Sequence, residues 1–513
     1  MNQQIVRLGI GLMIGYAILF AQLNNIQFFG AEELETHPSN SRPLVADFGA
    51  PRGEIRAADG TVLAESIELE EGVFERQRSY PTGELFAEVT GFFSFDSGSD
   101  GLESTFDSEL RGEQNQLSDA LRGVLGGEVN TSDIETSLSV ALQESARDAL
   151  GDRRGSVVAL DPNTGEVLSL WSYPSYDPNP LASVDTSEAR AARGELLADP
   201  DDPLLPRTIR EVFFPGSTFK VVTAAAALEG NVVELDTPVF DTVTSYTPPL
   251  TNNALNNFNG SSCGGPLIEM LARSCNAGFA QLAVELVGAD ALVDTAEDFG
   301  FGDVPPIELP RVVASVVPSD FGADLGTDVE ISPSLLAQLD EPTPVALTDD
   351  VPSLAQSAIG QFDVRATPLQ MALIAAGVAN DGEVPHPHIV TRLIDSEGNV
   401  SDVGNRDAWR RAVAPETAAE LRDAMVGVVE AGTGQSLQTP GFVVGAKTGT
   451  AQVTGDQEAT HAWVIAFAGE TIDEPEIAIA VIVEADQAAG EQTGGRVAGP
   501  VAQQLLQTWL AEG

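Results

Sequence analysis

Strand-like runs stand at both ends of a long stretch of this chain, with mostly helical sequence between them. Residues 155–160 and 166–171 are apolar runs around the turn Asp161-Pro162-Asn163-Thr164-Gly165, which predicts a β-hairpin. Three more strand-like runs come only at 442–453, 461–468 and 476–484, and a helix follows over about 498–510. Strands need partners. The pattern therefore predicts one α+β domain whose sheet draws its two distant ends together. A helix over 137–150, with Leu138, Leu142, Ala146 and Ala149 on one face, leads into it.

Ahead of that domain, one uncharged apolar stretch covers 8–23, preceded by Arg7. Ile5, Val6 and the tolerable Asn24-Asn25-Ile26 bring it near the roughly 20 residues a membrane span needs. No small-x-small cleavage site follows cleanly, so an uncleaved anchor is expected rather than a signal peptide. Arg7 places the amino terminus in the cytoplasm and the remaining chain outside. Residues 32–47 read as a polar linker. Asp59-Gly60 between apolar residues reads as a tight hairpin. The expected units are 1–30, a cytoplasmic tail and transmembrane anchor; 31–135, a small β-rich unit; and 136–513, the α+β domain. Residues 319–353, rich in Asp and Pro, read as an acidic loop.

The formal net charge is −51, from 26 Lys and Arg against 77 Asp and Glu. Nucleic acid is excluded as a partner, because a basic patch cannot be assembled from so few cations. The acidity is spread along the chain, so an acidic tail does not explain it. Drift in a lysine-poor genome and adaptation of the surface to high salt both remain open.

Only two of the cations are lysines, Lys220 and Lys447. A surface charge can be Arg or Lys, but a group that must shed its proton to act as a base cannot be Arg. Lys220 closes Ser217-Thr218-Phe219-Lys220, behind the chain-breaking Pro215-Gly216 and ahead of an alanine-rich helix. Ser217 is thus expected at a helix start, with an amine one turn on and backbone N–H groups facing whatever it attacks. Burial and the neighbouring Lys447 should depress the Lys220 pKa. Ser274-Cys275-Asn276 is a Ser-x-Asn, which alone is no more than an ordinary turn. Lys447-Thr448-Gly449-Thr450 lies in a strand-like run. There Lys447 and Thr448 can receive a carboxylate, Gly449 marks a close backbone approach or a bulge, and the Thr450 N–H is a second oxyanion donor.

Cys263 and Cys275 are the only cysteines, and outside the cell they can bond; two buried free thiols are the alternative. The four histidines read as structural or surface residues. His386-Pro387-His388 has no acidic or thiol partners in pattern, so no metal is expected, and no cofactor.

In this order, Ser-x-x-Lys, Ser-x-Asn and Lys-Thr-Gly are the three motifs of penicillin-binding proteins and active-site serine β-lactamases. The chain resembles class B penicillin-binding proteins along nearly its whole length after the anchor. Arg52-Gly53-Glu54-Ile55, Arg78-Ser79-Tyr80-Pro81, Gly91-Phe92-Phe93 and Gly101-Leu102-Glu103 are similar to the family's amino-terminal signatures. Ala159-Leu160-Asp161-Pro162, Pro174-Ser175-Tyr176-Asp177-Pro178-Asn179, Ile359-Gly360-Gln361 and Ala366-Thr367-Pro368-Leu369-Gln370 resemble landmarks of its transpeptidase domain. One anchor, modest length and a cysteine within Ser-x-Asn resemble the actinobacterial penicillin-binding protein A group in particular.

The resemblance implies that 31–135 is a pedestal or dimerisation-like domain. It implies that 136–513 is a transpeptidase domain with a five-stranded antiparallel sheet, flanking helices and an all-helical subdomain. It implies D,D-transpeptidation of peptidoglycan stem peptides on a lipid-linked precursor polymer, inhibition by β-lactams, and pairing with a polytopic glycan polymerase of the shape, elongation, division and sporulation type. Ser217 would be nucleophile, Lys220 base, and Ser274 proton relay. Asn276 would bind the stem peptide, and Lys447, Thr448 and the adjoining strand the terminal carboxylate. A D,D-carboxypeptidase or β-lactamase would use the same motifs with water as acceptor, but the anchor and pedestal argue against both. A β-lactam sensor normally needs several spans and a cytoplasmic effector, and a non-catalytic scaffold would not keep both lysines.

Overall fold

The computed structural model describes residues 2–24, 48–112, 131–340, 342–453, 456–486 and 492–512. The stretch 32–47, expected as a linker, lies outside them.

Helix α1, Asn2–Asn24, is apolar around most of its circumference and exposed along its described side chains. A helix of this kind has no polar face to offer water. Its residues Gln3–Asn24 are long and apolar enough to cross a membrane.

Strands β1 (Ile55–Arg56) and β2 (Val62–Glu68) pair antiparallel around Asp59-Gly60, as the hairpin reading requires. Gly60 takes φ +86°, and the Thr61 N–H donates to Asp59 Oδ1 at 2.9 Å. Strand β3 (Arg76–Ser79) follows on β2, and β4 (Ser132–Thr136) runs parallel to β1. The signature residues of this segment converge on one carboxylate. Glu103, fully buried, takes Arg52 Nε on one oxygen and Arg78 Nε on the other, each at 2.5 Å; Arg52 Nη1 also reaches Asp107 at 2.7 Å. Burial opposes the Glu103 charge, but Arg78 and Arg52 outweigh it and hold the carboxyl below its ordinary range. Tyr80, buried beside Glu103, accepts the Phe93 N–H at 2.7 Å. Gly91 is required for contact: a Cβ there would lie 2.0 Å from Asp100 O.

Helix α2 (Val140–Leu150) leads into hairpin β5 (Gly155–Leu160) and β6 (Val167–Tyr173). After it come α3 (Lys220–Glu229), β7 (Cys263–Gly265), α4 (Leu267–Arg273), α5 (Asn276–Leu282) and α6 (Pro368–Ala379). Then follow β8 (Val390–Asp395), β9 (Val400–Asp402), α7 (Pro415–Glu430), β10 (Val443–Val453), β11 (Asp456–Gly469), β12 (Ile477–Val483) and α8 (Gly494–Glu512). Five strands form one antiparallel sheet, in the order β10-β11-β12-β5-β6. Its two ends in sequence meet at β12 and β5, where Val481 faces Val157 and Ala480 faces Val158. β12 is buried at all seven positions, a continuous apolar run that suits a strand covered on both faces. Helix α6, buried throughout, packs on β12 and β5, while α8 packs on α2 and β11.

Two features depart from the sequence reading. The amino-terminal sheet does not stop at residue 135: β8 pairs antiparallel with β4 and β9 with β8, giving the order β9-β8-β4-β1-β2-β3. The stretch 319–353 is not simply a loop. Asp324–Asp328 and Ala346–Thr348 pair antiparallel, with a helical turn at Pro333–Leu336 between them. The first of these strands is exposed at all five positions, so it carries none of the apolar alternation by which a strand is read.

Candidate active site

Pro215 and Gly216 start a short 3-10 helix, Gly216–Phe219, that runs directly into α3. Two glycines allow the chain to be clamped here. Gly216 has φ +54° and its N–H donates to Gly360 O at 2.9 Å; a Cβ on it would lie 2.8 Å from Thr450 O. Gly360 has φ +71°, and a Cβ there would lie 2.1 Å from Gly216 O. The turn bearing Ser217 is thus wedged between β10 and the Gly360 loop. Ser217 is half-buried, and among the described residues no hydrogen bond engages its hydroxyl.

Lys220 is fully buried; its Nζ donates to Ser274 O at 2.8 Å and Asn276 Oδ1 at 2.7 Å, and lies 3.2 Å from Ser274 Oγ. Ser274 caps α4 in the left-handed conformation, φ +60°, which turns the chain sharply from α4 into α5. That turn presents Ser274 and Asn276 together. The Asn276 amide is held at both ends, by Lys220 and by Asn256 O at 3.1 Å. Cys275, between them, is bonded to Cys263 of β7, with Cα atoms 5.5 Å apart.

Lys447, on β10, is also fully buried, and donates to Ser274 Oγ at 2.9 Å and Thr448 O at 2.8 Å. Ser274 Oγ therefore bridges the only two lysines of the chain. Among the described residues neither lysine has a carboxylate within ion-pair distance. Burial, and then the like charge of Lys447, pull the Lys220 pKa well below its ordinary value; burial alone brings Lys447 to about 7. Buried amines without an acid shed protons rather than carry an unpaired charge. This hydroxyl with an amine on either side can pass a proton.

Gly449 is approached by the turn that bears Ser217. A Cβ on it would lie 2.9 Å from Pro215 O and 3.0 Å from Thr218 Cγ2. Thr450 lies across from Ala462 and against Gly216. Thr448 Oγ1 is 2.6 Å from Thr433 Oγ1, a partner that sequence reasoning missed. Its signal was weak: Gly432-Thr433-Gly434 looks like an ordinary turn after α7. The eight candidate residues, Ser217, Lys220, Ser274, Asn276 and Lys447 to Thr450, come from three segments of the chain that meet at one place.

A serine at a helix start with two proton-poor lysines defines the class, a serine acyl-transfer site. Residues 155–507 match the penicillin-binding protein transpeptidase domain, and residues 52–134 the penicillin-binding protein A dimerisation domain; the chain belongs to the penicillin-binding protein transpeptidase family. It is 36% identical to the peptidoglycan D,D-transpeptidase PbpA of Mycolicibacterium smegmatis, covering 100% of both chains. It is also 36% identical to PbpA of Mycobacterium tuberculosis, over 99% of both. Among solved structures it is similar to the ceftriaxone acyl-enzyme complex of penicillin-binding protein A from M. tuberculosis, with TM-score 0.78, 34% identity, and coverage of 90% of this chain and 99% of that one. The penicillin G acyl-enzyme complex of the same protein gives TM-score 0.75 at 34% identity, covering 90% of this chain and 100% of that one.

Proposed function

We propose that the protein is a peptidoglycan D,D-transpeptidase, acylated at Ser217 by stem peptides ending in D-Ala-D-Ala and by β-lactams. The observation that carries this reading is the Lys220–Ser274–Lys447 bridge beside the helix-start serine. Ser217 Oγ attacks the carbonyl carbon of the penultimate D-Ala. Its proton goes to the neutral Lys220 amine, the C–N bond to the terminal D-Ala breaks, and Ser274 relays a proton to the leaving nitrogen. Backbone N–H groups of Ser217 and Thr450 take the developing oxyanion. Asn276 aligns the stem peptide, Thr448 and Lys447 receive the terminal carboxylate, and Gly449 lets β10 pack against the nucleophile turn. An amine from a second stem resolves the acyl-enzyme, releasing Ser217.

The apolar helix α1 anchors the chain with its amino terminus in the cytoplasm and the site outside, where a Cys263–Cys275 bond is maintained. Residues 31–135 serve as the pedestal and 136–513 as the catalytic domain. A polytopic glycan polymerase of the shape, elongation, division and sporulation type supplies the glycan strand.

Intact mass after exposure to benzylpenicillin tests the chemistry. One adduct per wild-type chain and none on Ser217→Ala is expected; an adduct on the variant at the wild-type rate refutes it. Adding an acceptor amine to a D-Ala-D-Ala peptide separates transfer from hydrolysis. Only free acid as product would make the protein a carboxypeptidase.

A further inference from the structure

When Ser217 is acylated its proton lands on Lys220, and a buried amine becomes a buried cation. A charge in such a place needs a partner. Lys220 Nζ donates to Ser274 O at 2.8 Å and to Asn276 Oδ1 at 2.7 Å. Those two bonds use both N–H groups of a neutral amine and leave its lone pair for a hydroxyl. They exist before the proton arrives.

The charged groups on the surrounding elements are engaged elsewhere. On α4, Glu269 is exposed, and so is Arg273, which donates to Ser262 O at 2.6 Å. Past α5, Glu285 accepts from Gln281 at 3.1 Å and from the Ser332 N–H at 2.9 Å. Glu229, at the far end of α3, accepts the Ala414 N–H at 3.0 Å and the Thr417 hydroxyl at 2.7 Å. Among the described residues the one charge that acts on Lys220 is Lys447, and it repels.

An aromatic ring stands where an acid does not. Phe279 is fully buried, and its ring centroid lies 5.6 Å from Lys220 Nζ. The sequence of α5 puts it there. Asn276 opens that helix and Phe279 follows three residues on, so the two project from one face, a turn apart. That face offers Lys220 an amide oxygen and the flat of a ring together. The ring face carries the negative part of its quadrupole and attracts a cation most where water is excluded. A neutral amine gains almost none of this attraction. The ring therefore acts on Lys220 after the proton arrives and not before, and only such a difference speeds the step.

We propose that Phe279 is a positioning residue for acylation, its ring holding the Lys220 ammonium that forms as Ser217 gives up its proton. The proposal rests on the reading that Ser217 is acylated with Lys220 as base. The O–H bond of Ser217 breaks, an N–H bond forms on Lys220 Nζ, and the freed electron pair of Ser217 Oγ makes the bond to the carbonyl carbon. The ring exchanges no atom; it steadies the charge.

Fluorination draws charge off a ring face and leaves its shape nearly unchanged. Second-order acylation rates with benzylpenicillin are measured on the full-length protein in detergent, with Phe279 replaced by mono-, di- and trifluorinated phenylalanine. The rate should fall with each fluorine, to about tenfold below wild type, as suits a desolvated contact of this kind. Phe279→Leu gives a second readout. Without the ring Lys220 holds its proton less tightly, so the plateau of the pH–rate profile should drop about tenfold while its acid limb moves about one pH unit lower. The two profiles then meet in the acid limb, where both proteins start from the ammonium. A ring that only fills the core would cost the same factor at every pH. Equal rates across the fluorinated series, or a Phe279→Leu loss that is the same at every pH, overturn the role of the ring and leave acylation of Ser217 standing. A wild-type protein that takes up no benzylpenicillin overturns the acylation reading and the role of the ring together.

Discussion

Replacing Lys447 by Met should make the protein more stable near neutral pH and no more stable in alkali. The folded amine titrates at about 7, against 10.5 for an ordinary lysine. Between those values the unfolded chain holds one more proton than the folded one. Stability therefore rises with pH, by about 1.4 kcal/mol per unit for each such proton. At about pH 7.5 the cost of keeping Lys447 neutral is about 4 kcal/mol, and at about pH 9.5 it falls to about 1.4 kcal/mol. Methionine fills similar space without a charge but orphans Thr448 O and one bond of Ser274 Oγ, a loss of about 2 kcal/mol. The variant should thus lead wild type by about 2 kcal/mol at the lower pH, with the two curves meeting near the higher one. Lys220, also depressed, adds a pH slope common to both proteins. The raised pKa values of Tyr80 and Tyr246 act only above about pH 10, where unfolded tyrosines ionise, and set the upper limit of the window. Urea unfolding followed by fluorescence of Trp171 and Trp463, both in the sheet and buried, reads the right region. Parallel pH slopes for wild type and Lys447→Met, or a wild type that loses stability over this window, would refute the reasoning.

Lys220→Arg should nearly abolish penicillin acylation despite its retained charge, because guanidinium cannot take the Ser217 proton; a rate within tenfold of wild type rules out Lys220 as base. Reducing Cys263–Cys275, or changing both residues to Ser, opens a loop of sequence separation 12 and should cost about 3 kcal/mol on the loop-entropy model, read as a lower urea midpoint. Glu103→Ala leaves Arg78 buried without an acid, with Arg52 keeping only Asp107, and should cost about 3–5 kcal/mol in a thermal melt. With a net charge of −51, the melting temperature should climb as sodium chloride is raised, and a flat profile would show that surface repulsion does not limit the fold.

Much of the site could be read from the chain because its chemistry demands particular side chains in particular order. Lysine is scarce enough here that Lys220 and Lys447 mark their own motifs. The hairpin at β5 and β6 and the late strands were legible for a different reason, being apolar runs bounded by turn residues. What could not be read depends on contacts between residues far apart in sequence. Nothing local says that Thr433 meets Thr448, or that Gly494 packs against Gly449 and Gly495 against Thr433. Gly449 was recognisable as a point of close approach, but its partner, the Pro215 carbonyl, was not. The start of α8 was placed late, since two glycines in succession are poor helix formers and are kept here for contact. The pairing of β4 with β8 left no trace because β8 is only partly buried after its first residue.

That pairing has a consequence for how the polypeptide is made. Synthesis proceeds from the amino end, and β1 to β4 emerge early. Their sheet is finished only when β8 docks: Leu393 sits across from Ile134, and the Ser137 hydroxyl donates to Ile389 O at 3.2 Å. The second sheet waits longer still, since β5 takes its neighbour from β12. A nascent chain halted before β8 therefore carries two unsatisfied strand edges, one at β4 and one at β5, each open to a neighbouring nascent chain. Both edges are closed by segments made late, so a premature stop before residue 390 leaves both open, and one anywhere before residue 477 still leaves β5 without its partner β12.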